Sequence, residues 1–332
     1  MSIHLLIHSA NQKLNLCIAQ VGSQIVAGLL FLVLSAILSS CGIIPTDSLS
    51  QVTNVPSKAM VEDVPFYPQD ELQCGPAALA MVLNWSGVSI LPSELSSEVY
   101  SPGLQGSLQS SIIGSARRHG RVAYTINGSD HLLEELSAGH PVIVLVNLSF
   151  SWLPKWHYAV VIGYDQQQEE VVLHSGLNKG EILSFWKFMN IWKRSDYWGL
   201  LVLPPDQMPK SVEEKKWLEA VSGLENTKQW QAAAIGYAAA LDRWNESFVA
   251  WMGLGNSKYN LHDLKVSEKA FNQATLLQPQ NGMAFNNLAH VLAKQGKLQD
   301  ALIAAQHAVE LGGHFKETFI QTLEEIKVIK TN

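Results

Sequence analysis

Cys74 is the residue of this chain best placed to do covalent chemistry. It stands in Gln73-Cys74-Gly75-Pro76-Ala77-Ala78-Leu79, directly ahead of the apolar run Ala80-Met81-Val82-Leu83. Proline at a first helical position, followed by strong helix formers, predicts a helix starting near Gly75 or Pro76. Cys74 is then expected at the positive end of a helix dipole, where thiolate is favoured over thiol and the pKa falls. A thiolate nucleophile also needs a base that can protonate the leaving group and a donor that stabilises the oxyanion. His157 is the best base, at the mouth of a strand in Trp156-His157-Tyr158-Ala159-Val160-Val161-Ile162-Gly163-Tyr164-Asp165. Gln69 is the expected oxyanion donor, because its amide could reach back toward the helix start, and Gln73 is the alternative. A plainer reading stands beside this one: free Cys is among the most buried residue types, and a lone His is ordinarily structural.

The elements that must position these residues lie within 62–205, where helix and strand patterns mix. Residues 77–85, 108–118 and 132–138 read as helices, and 142–148, 158–164, 170–173 and 199–203 as strands bounded by Gly, Pro or polar turns. Helices first and strands after describe an α+β domain with an antiparallel sheet, closed by Pro204-Pro205.

From about residue 214 the pattern is all helix, and a repeat appears at a spacing of 34 residues. Trp217, Trp251 and Phe285 are in register, as are Tyr237, Phe271 and Ala305, and Ala240, Ala274 and Ala308. Ala233, Ser267 and Ala301 hold a small position, and Pro279 falls where one repeat turns into the next. This pattern resembles the tetratricopeptide repeat, with units at 214–247, 248–281 and 282–315 and a capping helix at 317–330 inside a region spanning 211–332. The resemblance implies a concave face that binds a peptide or protein partner, and nothing about it implies catalysis.

Composition bounds the rest. With 332 residues, 47% hydrophobic and 16% charged, the chain is long enough for two globular domains. A net charge of −6 gives no basic footprint for nucleic acid. The eleven His are scattered, with no zinc-ligand spacing and no phosphate-binding glycine loop, so no metal and no cofactor is expected. Residues 25–38 form an apolar core too short to span a membrane comfortably, ending in Leu38-Ser39-Ser40-Cys41. That ending resembles the bacterial lipoprotein signal. It implies a signal peptide over 1–40, lipid on Cys41, a flexible tether over 41–61, and a membrane-bound protein of the cell envelope. Gly42 after the Cys implies the outer membrane, facing the periplasm. Cys17 would be removed, leaving Cys74 as the one free thiol.

The run Val64-Pro65-Phe66-Tyr67-Pro68-Gln69 into Gln73-Cys74-Gly75-Pro76, followed by the His157 strand, resembles the papain-like cysteine peptidases that trim bacteriocin leaders after a double glycine. The closer likeness is to stand-alone relatives in lipoproteins carrying tetratricopeptide repeats. The resemblance implies a papain-like α+β domain over 62–205, with Cys74 as nucleophile, His157 as general base and Gln69 at the oxyanion hole. It also implies an Asp on the next strand to orient the imidazole. Here that strand runs Val171-Val172-Leu173-His174-Ser175-Gly176, so His174, Ser175 or Asn178 must serve. Asp165 is a poor substitute, eight residues along the His157 strand and roughly 26 Å away at about 3.3 Å per residue. The resulting expectation is a membrane-anchored cysteine peptidase that hydrolyses a polypeptide recruited by its repeats. Two rivals share the same residues: a catalytically degenerate protein-binding adaptor, and a papain-like acyltransferase.

Overall fold

The computed structural model describes Leu49 and residues 52–68 and 73–331. The expected signal peptide, Cys41 and Gln69 therefore lie outside the described residues. From Leu49 onward the described residues form one compact unit.

The first helix, α1 (Cys74–Trp85), is buried from Gly75 to Leu83 and therefore runs inside the domain rather than along its surface. It packs on a short extended pair, β2 (Tyr100–Ser101) and β3 (Gly106–Ser107), and on the sheet. Gly75 is required for that approach, since a Cβ there would overlap the Ser107 side chain. Two more helices, α2 (Pro92–Val99) and α3 (Gln109–Arg118), flank it.

The sheet has seven strands, all antiparallel. β4 (Val122–Asn127), β9 (Trp198–Leu203), β5 (Val142–Asn147), β6 (Trp156–Asp165), β7 (Glu170–Ser175) and β8 (Asn178–Ser184) lie in that spatial order. β1 (Lys58–Met60) extends the β5 side of β6, pairing Met60 with Gly163 where β5 has already ended. A Cβ on Gly163 would stand 2.7 Å from the Ala59 carbonyl oxygen, so glycine admits this strand. Helix α4 (Ser129–Ser137) joins β4 to β5, and α5 (Phe185–Trp192) joins β8 to β9.

The C-terminal region is a helical array: α6 (Glu214–Asn226), α7 (Trp230–Arg243), α8 (Phe248–Asn260), α9 (Leu264–Leu277), α10 (Gly282–Lys294), α11 (Leu298–Leu311) and α12 (Lys316–Thr331). Each helix packs on the next. The small positions Ala233, Ala240, Ser267, Ala274, Ala301 and Ala308 are all fully buried between helices. Tyr237 and Phe271 fill the notches left by Gly253 and Gly255, and the Trp217 indole donates to the Gly236 carbonyl at 3.0 Å.

The array is seated on the α+β domain rather than strung from it. α6 packs on β4, and the Glu213 amide donates to the Tyr124 hydroxyl at 3.2 Å, so the first repeat helix covers a sheet edge. The Thr227 hydroxyl and Gln229 amide donate to the carbonyls of Arg117 and Arg118 at the end of α3. Glu135, fully buried on α4, contacts His140 Nδ1 at 2.7 Å and accepts from the amide and hydroxyl of Ser211, both at 3.0 Å. Burial alone would raise this carboxyl. The His140 ring and the Ser211 and Lys210 amides outweigh burial and hold it below its ordinary value.

Several elements differ from the sequence expectation. The His157 strand begins two residues earlier than expected, at Trp156, with His157 at its mouth ahead of the buried run. The next strand continues to Ser175. α2, β4, β8 and α5 were not anticipated, although α2 has a legible start: Pro92 opens it, and Glu94 turns back to accept from the Leu91 amide at 2.7 Å.

Candidate active site

Cys74 is the first residue of α1, with Gln73 as its N-cap and the Ala77 amide closing the first turn on the Gln73 carbonyl at 3.0 Å. The sulfur therefore stands at the amino end of a buried helix. The backbones of Tyr158 and Gly75 favour its thiolate. Tyr158 is on β6 directly after His157, and α1 packs on that strand. The Tyr158 hydroxyl donates to the Ser107 carbonyl at 3.1 Å and ties β6 to β3.

His157 Nε2 lies 3.2 Å from the Ser175 hydroxyl oxygen. The register Val160↔His174 explains this contact, because it puts Ser175 and His157 on one face of the β6–β7 pair, in diagonal positions. Of the three expected orienting residues, Ser175 is the one that touches the imidazole. His174 is buried on the other face, where its Nδ1 accepts from the Gly180 amide at 3.1 Å and its Nε2 faces the Val64 carbonyl at 3.3 Å. Its ring also meets Phe66 edge-on, so it is a structural histidine. Asn178 faces Ser175 across the turn into β8 and is exposed. Asp165 lies at the far end of β6, paired with Lys58 at 3.1 Å.

The electrostatics overturn one sequence expectation. Burial raises the Cys74 thiol above its ordinary value, and the nearby backbone only opposes that shift. Burial, with Lys155 nearby, lowers the His157 imidazole from 6.5 to about 4. The expected depression of the Cys74 pKa is therefore absent. A helix amino terminus does not compensate for removing the sulfur from water, and the His157 imidazole is neutral at pH 7. Thiol and imidazole both rest neutral, with the Ser175 hydroxyl rather than a carboxylate against the ring.

The oxyanion donor expected at Gln69 lies outside the described residues. Gln73, the alternative, has its side-chain oxygen bound by the Ser96 hydroxyl of α2 at 2.8 Å. That bond fixes the residue before Cys74 and was missed by sequence reasoning. So was the Tyr158 backbone, which has no side-chain signature. Among the described residues, no group of three His, Cys, Asp or Glu could hold a metal ion. No helix among them is long and apolar enough to cross a membrane.

Residues 61–198 match a family model described as the Peptidase_C39 like family. No curated protein matches the chain. Solved structures similar to parts of it include a C39-like peptidase from Bacillus anthracis, with 19% identity over 44% of this chain and 97% of that one, at a TM-score of 0.38. The peptidase domain of Streptococcus ComA, a bi-functional ABC transporter involved in quorum sensing, is 24% identical over 43% of this chain and 99% of that one, at a TM-score of 0.36. The Yersinia enterocolitica type III secretion chaperone SycD, in complex with a peptide of the translocator YopD, is 17% identical over 35% of this chain and 93% of that one, at a TM-score of 0.33. The match covers the α+β domain, residues 61–198, and the all-α region that follows lies outside it.

Proposed function

We propose that this protein is a cysteine peptidase in which Cys74 attacks a peptide carbonyl, His157 moves the proton and Ser175 orients His157. The observation that carries this reading is that the buried helix beginning at Cys74 packs on the strand bearing His157, whose imidazole meets Ser175. With Nε2–H donated to the Ser175 hydroxyl, Nδ1 keeps its lone pair for the thiol proton. Sulfur bonds to the carbonyl carbon as that proton passes to the imidazole. The C–N bond then breaks, the imidazole returns the proton to the leaving amine, and water attacks the thioester to release acid and free thiol. Because both partners rest neutral, proton transfer accompanies attack, and His157 acts as a general base rather than as half of an ion pair.

The same neutral pair is the specific observation that favours a second reading, a peptidase-like domain that only holds a polypeptide. Turnover separates the two. Wild-type protein should cleave members of a mixed peptide library followed by mass spectrometry, and Cys74→Ala should cleave none. Equal product patterns from both would leave the binding role.

The repeats supply a partner-binding surface in this proposal, seated rigidly on the catalytic domain by Glu135, Thr227 and Gln229. We propose further that lipid on Cys41 holds the protein at the bacterial outer membrane, facing the periplasm. The motif at 38–41 supports that location. Palmitate labelling that persists in Cys41→Ala would refute it.

A further inference from the structure

We propose that the β5–β6 connection grips large apolar side chains of the polypeptide substrate next to the bond that is cleaved. This deepens the peptidase reading and rests on it. β5 ends at Asn147, opposite Trp156, so residues 148–155 rise from the end of the sheet where His157 stands. Leu148, Phe150, Trp152, Leu153 and Trp156 are all exposed there, Trp152 by 80% and Phe150 by 62%, and the Phe150 and Trp152 rings stack with centroids 5.6 Å apart. Five large apolar side chains clustered in solvent mark an interaction surface rather than ordinary scatter.

The loop is also built to hold them outward. Asn147, 1% exposed, accepts from the Ser149 and Lys155 amides at 3.0 Å each, and its own amide donates to the Phe150 carbonyl at 3.4 Å. The Leu148 amide closes the base on the Lys155 carbonyl at 3.0 Å. Arg194 braces the loop from below, donating to the carbonyls of Asn147 and Ser149. A braced aromatic cluster loses little freedom when it binds, which is how hot-spot aromatics act in protein recognition. One observation favours a polypeptide over a lipid surface: the loop rises from the end of the sheet where His157 stands and runs directly into the strand that carries it.

The test reads binding without turnover, in the full-length Cys74→Ala protein. Fluorescein-labelled octapeptides of Gly, Ala and Ser, with Phe placed at each position in turn, are titrated by anisotropy. At least one Phe peptide should bind roughly tenfold more tightly than the parent. In Phe150→Ser/Trp152→Ser that gain should fall to about twofold or less. A gain that is absent, or that survives in the double variant, would overturn the proposal. So would flotation of the protein with phosphatidylethanolamine–phosphatidylglycerol vesicles that depends on Phe150 and Trp152 while no peptide shows a gain. Failure here leaves library cleavage by the wild type untouched, so the gripping proposal and the peptidase reading fail separately.

Discussion

Ser175→Asp probes the arrangement behind His157 most directly. The substitution puts a carboxylate where the hydroxyl now stands, 3.2 Å from Nε2. At that separation and an effective dielectric constant of about 20, the Coulomb attraction to an imidazolium has an upper bound of about 5 kcal/mol. Desolvation of the new carboxylate and access of water near Ser175 cut this to about 3 kcal/mol, or about two pKa units. His157 should therefore rise from about 4 to roughly 6, and the Cys74 thiol should become easier to ionise. Two-dimensional NMR titration of the imidazole ring follows the first effect, and the pH dependence of iodoacetamide alkylation at Cys74 follows the second. If the His157 midpoint moves by less than about half a unit, the diagonal His157–Ser175 contact does not exist in solution. Ser175→Ala is the companion variant: it should leave the midpoint low while reducing turnover.

The same burial of His157 makes stability depend on acid. Its folded pKa lies below its unfolded value, so between about 6.5 and about 4 the unfolded chain binds more protons. The stability linked to this group is complete above that window and is lost as pH falls through it, up to about 3 kcal/mol. Urea denaturation at pH 7.5 and pH 4.5 should show a steeper loss for wild type than for His157→Asn, and equal losses would refute the shift. Gly75→Ala should cost about 1–3 kcal/mol through overlap with Ser107, by thermal melting; a neutral result would mean that α1 does not approach β3 this closely. Ala274→Glu should destabilise the array by about 3 kcal/mol or more, since a fully buried small position has no room to solvate a charge. A change within 0.5 kcal/mol in its circular dichroism melt would contradict the packing.

The helical array was legible because a period of 34 residues writes the same packing constraint three times. The small residues at 240, 274 and 308 are small for one reason, that a neighbouring helix crosses there. The α+β domain was legible in its long apolar runs and in the helix start at Cys74. Helix α5 escaped although Phe185, Phe188, Met189 and Trp192 mark one buried face at helical spacing, because the exposed Trp186 blurs that pattern within only eight residues. Strand β4 escaped because six residues between two helices offer little pattern to read. At the site, residue type pointed to Cys74 and His157, while the choice among His174, Ser175 and Asn178 depends on strand register. Register is fixed by pairing across the sheet, which a linear reading does not contain. The acidity of Cys74 was misjudged for a related reason. The helix dipole can be read from sequence, whereas the burial that opposes it comes from tertiary packing.

The central claim is that Cys74 is a nucleophile served by His157, and one measurement addresses it most directly. Intact protein is treated with a peptidyl electrophile that reacts with thiols only after binding, and its mass is recorded over time for wild type, Cys74→Ala and His157→Ala. The account predicts a single adduct on wild type, mapped to Cys74, none on Cys74→Ala, and adduct formation slowed about a hundredfold or more in His157→Ala, the scale of a lost general base. Modification of wild type and His157→Ala at the same rate would contradict it, because Cys74 would then be an ordinary thiol beside an ordinary histidine.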